Sequence, residues 1–300
     1  MVSFILIIIA SLLFTGFLVK TKSMLSGRKG PGILQPMKDI IRLWRKGSVY
    51  SKTTSAIFRI APTIYFSSVV MAILMVPHGE RSGIISFEGD FVMFAYLLAF
   101  GKFMMIISAL DTGSSFEGMG ASREALFSML VEPAFFLVMG SLALFTGNTS
   151  FSGIFETLHY ETNISYMLGA MAAVIFVLIA MIENSRMPVD DPKTHLELTM
   201  IHEVMILDNS GFDLGTIMYT SNLRFAMYGA LISNFFIGVL PLYISVPLFF
   251  AVQLLFAVTA GIIESFTARF RMSHNPQYIL ILTSVSILMF FGVLLMQGRF

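Results

Sequence analysis

Eight apolar runs, each long enough to cross a bilayer, constrain this chain more than any other feature. A helix needs about 20 residues to span the hydrocarbon core. There, only helices and closed barrels satisfy their own backbone hydrogen bonds. The runs lie near residues 2–20, 57–76, 91–110, 125–146, 165–183, 225–244, 246–264 and 278–297. Pro241 and Pro247 bracket the break between the sixth and seventh, because each removes a helical hydrogen bond. Only 12% of residues are charged, against about 25% in soluble domains. The expected fold class is all-α: a polytopic membrane protein of about eight transmembrane helices in one domain over 1–300. The first run lacks a basic start and an Ala-x-Ala exit, so it reads as a retained span rather than a signal peptide. No internal repeat is evident, so an inverted-repeat transporter gains no support.

Basic residues set the expected orientation. With eight spans, the odd-numbered loops share one side and carry sixteen Lys and Arg; the other side has only Arg81 and Arg299. The positive-inside rule places the charged loops in the cytoplasm and both termini outside it. The first loop, 20–59, is basic, and its "GRKGPGILQPMKDIIRLWRKG" sets Ile40, Ile41, Leu43 and Trp44 among cations. That pattern predicts an amphipathic helix at the interface. Simple anchoring by Trp44 and its basic neighbours explains the same residues.

Two further islands carry titratable chemistry. "SALDTGSSFEGMGASREALFSMLVEP" joins the third and fourth spans. In it Asp111 and Arg123 flank a Gly/Ser turn, Glu124 opens a helix, and Glu132 lies roughly 12 Å further along it. A carboxylate at membrane depth costs a few kcal/mol and marks a candidate functional site. A locally paired structural acid is the alternative. Lys102, inside the third span, needs a carboxylate partner or water, and Glu132 is the first candidate. The second island, "ENSRMPVDDPKTHLELTMIHE", opens the acidic loop 184–224. Glu183 extends an apolar span directly, whereas Asp208 and Asp213 suit a solvated loop. Asp191 with Pro192 predicts a helix start, and Asn209-Ser210-Gly211 its stop. On such a helix His195 and His202 would stand roughly 10.5 Å apart, too far to share one metal ion. Glu264 is a further acid at the membrane edge. Glu132, Glu183 and Glu264, with Lys102, are the candidate proton path. With no Cys, the chain supplies no thiolate for an iron–sulfur cluster or zinc.

These islands resemble the membrane subunit shared by complex I and membrane-bound [NiFe] hydrogenases. "GRKGPGILQPMKDIIRL" is similar to that family's loop after span one and "FRIAPTIYF" to the start of its second span. "LDTGSSFEGMGASREALFSMLVEP" resembles the hydrogenase-4 and formate hydrogenlyase branch, and "ENSRMPVDDPKTHLELTMIHEVMILDNSG" the acidic fifth loop. The likeness spans roughly residues 20–275. It implies a subunit at the junction of peripheral redox subunits and a membrane arm, linking electron transfer to movement of protons or sodium. Partners implied are peripheral hydrogenase-like large and small subunits and antiporter-like membrane subunits; nucleic acid is not among them. Iron–sulfur clusters and nickel–iron would sit in those partners, and a quinone site is left open. By position, Arg28, Arg123, Glu132, Glu183, Arg186, Asp190 and Glu197 occupy the family's charged motif positions, and Arg28, Asp111, Arg123, Glu124, Arg186, Asp190, Glu197 and Glu203 are the expected junction and docking residues. The chain departs from the complex I loop at Asp191, Pro192, Lys193 and His195, and about three extra residues lie between Glu197 and Gly211. A stand-alone ion transporter and a purely structural anchor are the competing classes.

Overall fold

The computed structural model describes residues 1–160, 163–191, 200–238 and 240–297. Glu197 and His195 fall outside the described residues. Among the described residues the structure is helical: α1 (Val2–Leu25), α2 (Gln35–Trp44), α3 (Ala56–Met75), α4 (Asp90–Asp111), α5 (Ser115–Thr146), α6 (Phe151–Tyr160), α7 (Asn163–Glu183), α8 (His202–Met205), α9 (Gly211–Ile237), α10 (Leu242–Phe266) and α11 (Asn275–Met296). Seven of these are long and apolar enough to cross a membrane. The eighth long helix is α9, at the centre of the bundle, packed against α1, α2, α3, α7 and α10. Every side chain from Leu223 to Phe235 is buried. Enclosed by protein rather than lipid, α9 keeps Arg224, Ser233 and Asn234 inside, which lowers its hydropathy.

Contacts between helix ends fix which ends share a side. Ser3 at the start of α1 donates to the Val76 carbonyl just past α3 (2.6 Å). Gln297, just past α11, donates to the Leu144 carbonyl near the end of α5 (2.6 Å). On the opposite side, the Ser55 amide before α3 donates to Asp111 at the end of α4 (2.7 Å). There too, Asn275 at the start of α11 donates to the Val189 carbonyl beyond α7 (3.0 Å). The bundle therefore alternates direction through eight long helices, with both chain ends on one face.

Three expectations are corrected. The fourth span begins at Ser115, not near 125, so Arg123 and Glu124 lie inside α5 rather than at its mouth. The turn shrinks to Thr112–Ser114, and Gly120 within α5 lets the neighbouring α8 approach, with Val204 and the Ile201 carbonyl against it. The sixth span runs from Gly211 to Ile237, so Arg224 is a buried helix residue and not a loop cation. The helix expected from Asp191 to Asp208 is interrupted: Met200 and Ile201 are non-helical and α8 is a single turn. The Asp190 carboxylate causes this, accepting from the Ile201 and His202 amides at 3.2 and 3.0 Å in place of helical carbonyls.

Candidate functional site

Four charges meet where the end of α7 reaches the interior stretches of α4, α5 and α9. Lys102 Nζ lies 3.2 Å from Glu124 Oε1 and 3.0 Å from Glu183 Oε2, and donates to Ser128 at 2.9 Å. Glu183 Oε2 also accepts from Arg224 at 3.0 Å. Arg224 donates in addition to the Glu183 carbonyl and, at 2.6 Å, to the Tyr65 hydroxyl of α3. Two acids thus balance two cations in an interior where an unpaired charge would cost several kcal/mol. Glu124 and Ser128 stand one helical turn apart, so α5 presents both to Lys102. Glu132, the expected partner, instead lines a narrow cavity of about 50 Å³ with Lys102, Glu183, Ser128 and Tyr228. It continues the Glu124–Ser128 stripe by one further turn, but Lys102 already sits between the two nearer acids.

A second cluster flanks the first. Asp190, fully buried, accepts from Arg269 at 2.6 Å while capping α8. Glu264 of α10 pairs with Arg186 at 2.9 Å and with Lys22 at 3.3 Å. Arg123 donates to the Met200 carbonyl at 3.0 Å, tying α5 to the segment before α8. A gap of about 10 Å³ separates the clusters, walled by Lys102, Glu124, Glu183, Ser185, Asp190 and Ile201. Glu264 therefore joins the Arg186 and Lys22 side and stands apart from Glu183.

Beyond α8, under α2, lies a larger cavity of about 300 Å³. Gln35 and Asp39 of α2 face Arg186, His202 and Glu203 across it, with Val19, Ile217 and Met218 supplying apolar wall. Burial, and then the Asp190 charge, push Glu203 up to about 7. Burial holds the His202 imidazole below the ordinary histidine range. Two other expected residues lie apart from this centre. Arg28 is exposed, and Asp111 fastens the first loop to the end of α4.

The places of Arg224, His202 and Arg269 in these clusters do not follow from sequence reasoning. Arg224 had a signal, since "LRFAMYGALISNFF" places a cation at the head of an apolar helix. Asp190 and Arg269 are 79 positions apart, and nothing local pairs them. Among the described residues, no group of three or more His, Asp or Glu is arranged to hold a metal ion.

Known proteins resemble this chain over much of its length. The family described as NADH dehydrogenase matches residues 1–294. Hydrogenase-4 component C of Escherichia coli is 32% identical over 65% of this chain and 61% of its own length. Formate hydrogenlyase subunit 4 of Escherichia coli is 30% identical over 71% of this chain and 68% of its own. A subunit of the NADH-quinone oxidoreductase of Rickettsia canadensis is 24% identical over 70% and 63%. The chain thus spans roughly two thirds of the curated relatives it matches. A chain of the membrane-bound sulfane sulfur reductase, an archaeal respiratory membrane complex, superposes with a TM-score of 0.84 at 18% identity, over 97% of this chain and 96% of that one. That likeness speaks for the fold. The family match covers nearly every residue, the charged cluster included, and this multi-pass membrane protein belongs to the NADH dehydrogenase subunit 1 family.

Proposed function

We propose that this chain is the ion-coupling membrane subunit of an energy-converting oxidoreductase complex in the inner membrane. The observation that carries this is the buried Lys102–Glu124–Glu183–Arg224 cluster, set between the cavity under α2 and the Glu132 cavity. At these separations a displacement of one charge alters the field at the others. The lever is the segment after α7. Ser185 donates to Glu124 at 3.4 Å, and Asp190 joins that segment to α8 and Arg269. A docked redox subunit that shifts this segment would change the field around Glu124 and Glu183. Peripheral hydrogenase-like large and small subunits, holding iron–sulfur clusters and nickel–iron, are the partners proposed for that face. Arg28, Asp111 and Arg123 belong to the same docking side. The basic bias makes it cytoplasmic and leaves both termini outside.

Beyond Glu132 the path meets rings. Phe94 stacks on Phe135 at 5.8 Å and meets Phe151 at 5.3 Å, while Phe155 meets Phe235 at 5.1 Å. This dry layer favours sideways passage of a proton from Glu132 into an antiporter-like membrane subunit. A quinone head group is a second ligand for the cavity under α2, because Gln35, Arg186 and His202 offer donors beside apolar Val19 and Met218. Quinone reduction by the intact complex tests that ligand.

The chain, tagged and gently extracted, should co-purify with metal-bearing peripheral subunits. Vesicles holding the complex should accumulate ions only while electrons flow. Ion movement by the isolated chain without a donor would establish a stand-alone transporter. Electron transfer without ion movement would leave only an anchor.

A further inference from the structure

The single turn α8 forms the partition between two cavities. Its preceding residue, Ile201, walls the inner gap beside Lys102, Glu124 and Glu183. His202 and Glu203 wall the outer cavity under α2. The outer cavity, of about 300 Å³, has room for several waters. The inner gap has no comparable room. A proton arriving in the outer cavity therefore needs a side chain to carry it across.

Four titratable groups line the outer cavity: Asp39, Arg186, His202 and Glu203. Asp39 is on α2, across the cavity from His202, and is bonded to Gln35 and Arg42. Arg186 keeps its proton, because a guanidinium does not release it in proteins. Glu203 feels Asp190 but none of the inner four charges. His202 is acted on by Glu124 of α5, Lys102 of α4, Arg224 of α9 and Asp190 of the preceding segment, and its amide donates at 3.0 Å to Asp190, which walls the inner gap with Glu124. It therefore touches the outer cavity and lies within electrostatic reach of the inner cluster.

We infer that His202 is the proton-transfer residue that admits protons from the cavity under α2 to the Lys102–Glu124–Glu183 cluster. This rests on the ion-coupling reading above and adds its entry step. Glu203, beside it on the same cavity wall, gathers the proton from water. The unprotonated ring nitrogen of His202 accepts that proton, and the other nitrogen gives its own to the Glu124 carboxylate. The imidazole ends neutral, as it began, and one proton has moved inward. Burial supports the step, since it keeps the ring neutral and able to accept at neutral pH.

The test uses the intact complex in vesicles, with proton uptake followed by a pH-sensitive dye while the complex turns over. His202→Ala should assemble, yet take up protons at least tenfold more slowly. Free imidazole, small enough to enter the outer cavity, should restore uptake, most strongly where imidazole is half protonated. His202→Gln keeps bulk and hydrogen bonding but cannot relay, and should stay slow. Uptake at the wild-type rate in either variant would overturn the proposal, as would loss in His202→Ala that imidazole fails to rescue in assembled complex. Glu183→Gln runs beside them. If it also pumps normally, the ion-coupling reading itself fails; if it alone is impaired, only the role of His202 falls.

Discussion

Lys102 shows how single residues set the chemistry here. A lone ammonium would be expelled from this interior, yet 3.2 and 3.0 Å contacts to Glu124 and Glu183 hold it. Removing it leaves two carboxylates with only Arg224. Lys102→Met should therefore destabilise the assembled complex by about 3–5 kcal/mol, the cost of a broken buried pair. Lys102→Met with Glu124→Gln should recover part of that loss. Thermal unfolding of the intact complex checks both, and a double variant less stable than the single one would contradict the pairing. Glu203 gives a pH signature. Its pKa rises from 4.5 to about 7 on folding. The folded state then binds the proton more tightly than the unfolded chain, so stability falls as pH climbs from about 4.5 through 7. Glu203→Gln should flatten that fall in melting temperature between pH 5 and 8.

Among the elements, α2 is the one whose seat is easiest to test. Trp44 packs edge-on to Tyr219 of α9 at 5.2 Å, and Gly215 lies so close that a Cβ would stand 2.9 Å from the indole. On α1, a Cβ at Gly16 would fall on the Ile33 carbonyl oxygen just before α2. Gly16→Val should push the 31–34 segment outward and cost roughly 1–3 kcal/mol. Faster proteolysis of the first loop would report it. The helix α2 was legible in the sequence because its apolar and basic residues alternate at helical spacing over ten positions. The long spans were legible too, from hydropathy alone. The ends of α5 and α9 were not, since polar residues such as Glu117, Asp213 and Arg224 are tolerated there by burial among other helices. Glu183 stood out because it extends an apolar run. Its partners Lys102 and Arg224 are 81 and 41 positions away, and only tertiary packing brings them together. The interruption before α8 was hidden for the same reason, being imposed by Asp190.

The molecule as a whole is a bundle with a charged face and a plain one. The first loop and the start of α9 meet on the charged face, where Ser48 accepts from the Asp213 amide at 3.3 Å and Ser210 from the Val49 amide at 3.0 Å. With no native Cys in the chain, Ser48→Cys and Ser210→Cys should both resist an impermeant thiol reagent in intact cells and react after permeabilisation. Labelling from outside would invert the topology. The functional claim belongs to this scale as well, because it joins the docking face, the central charges and the Glu132 cavity into one route. Its most direct measurement is the number of ions moved per electron in vesicles containing the intact complex, compared with Glu183→Gln and Glu132→Gln. Each substitution keeps shape and removes a titrating group, so each complex should assemble and transfer electrons while its ion-to-electron ratio drops severalfold. Wild-type ratios in both variants would contradict the relay and leave the two acids as structural pairs.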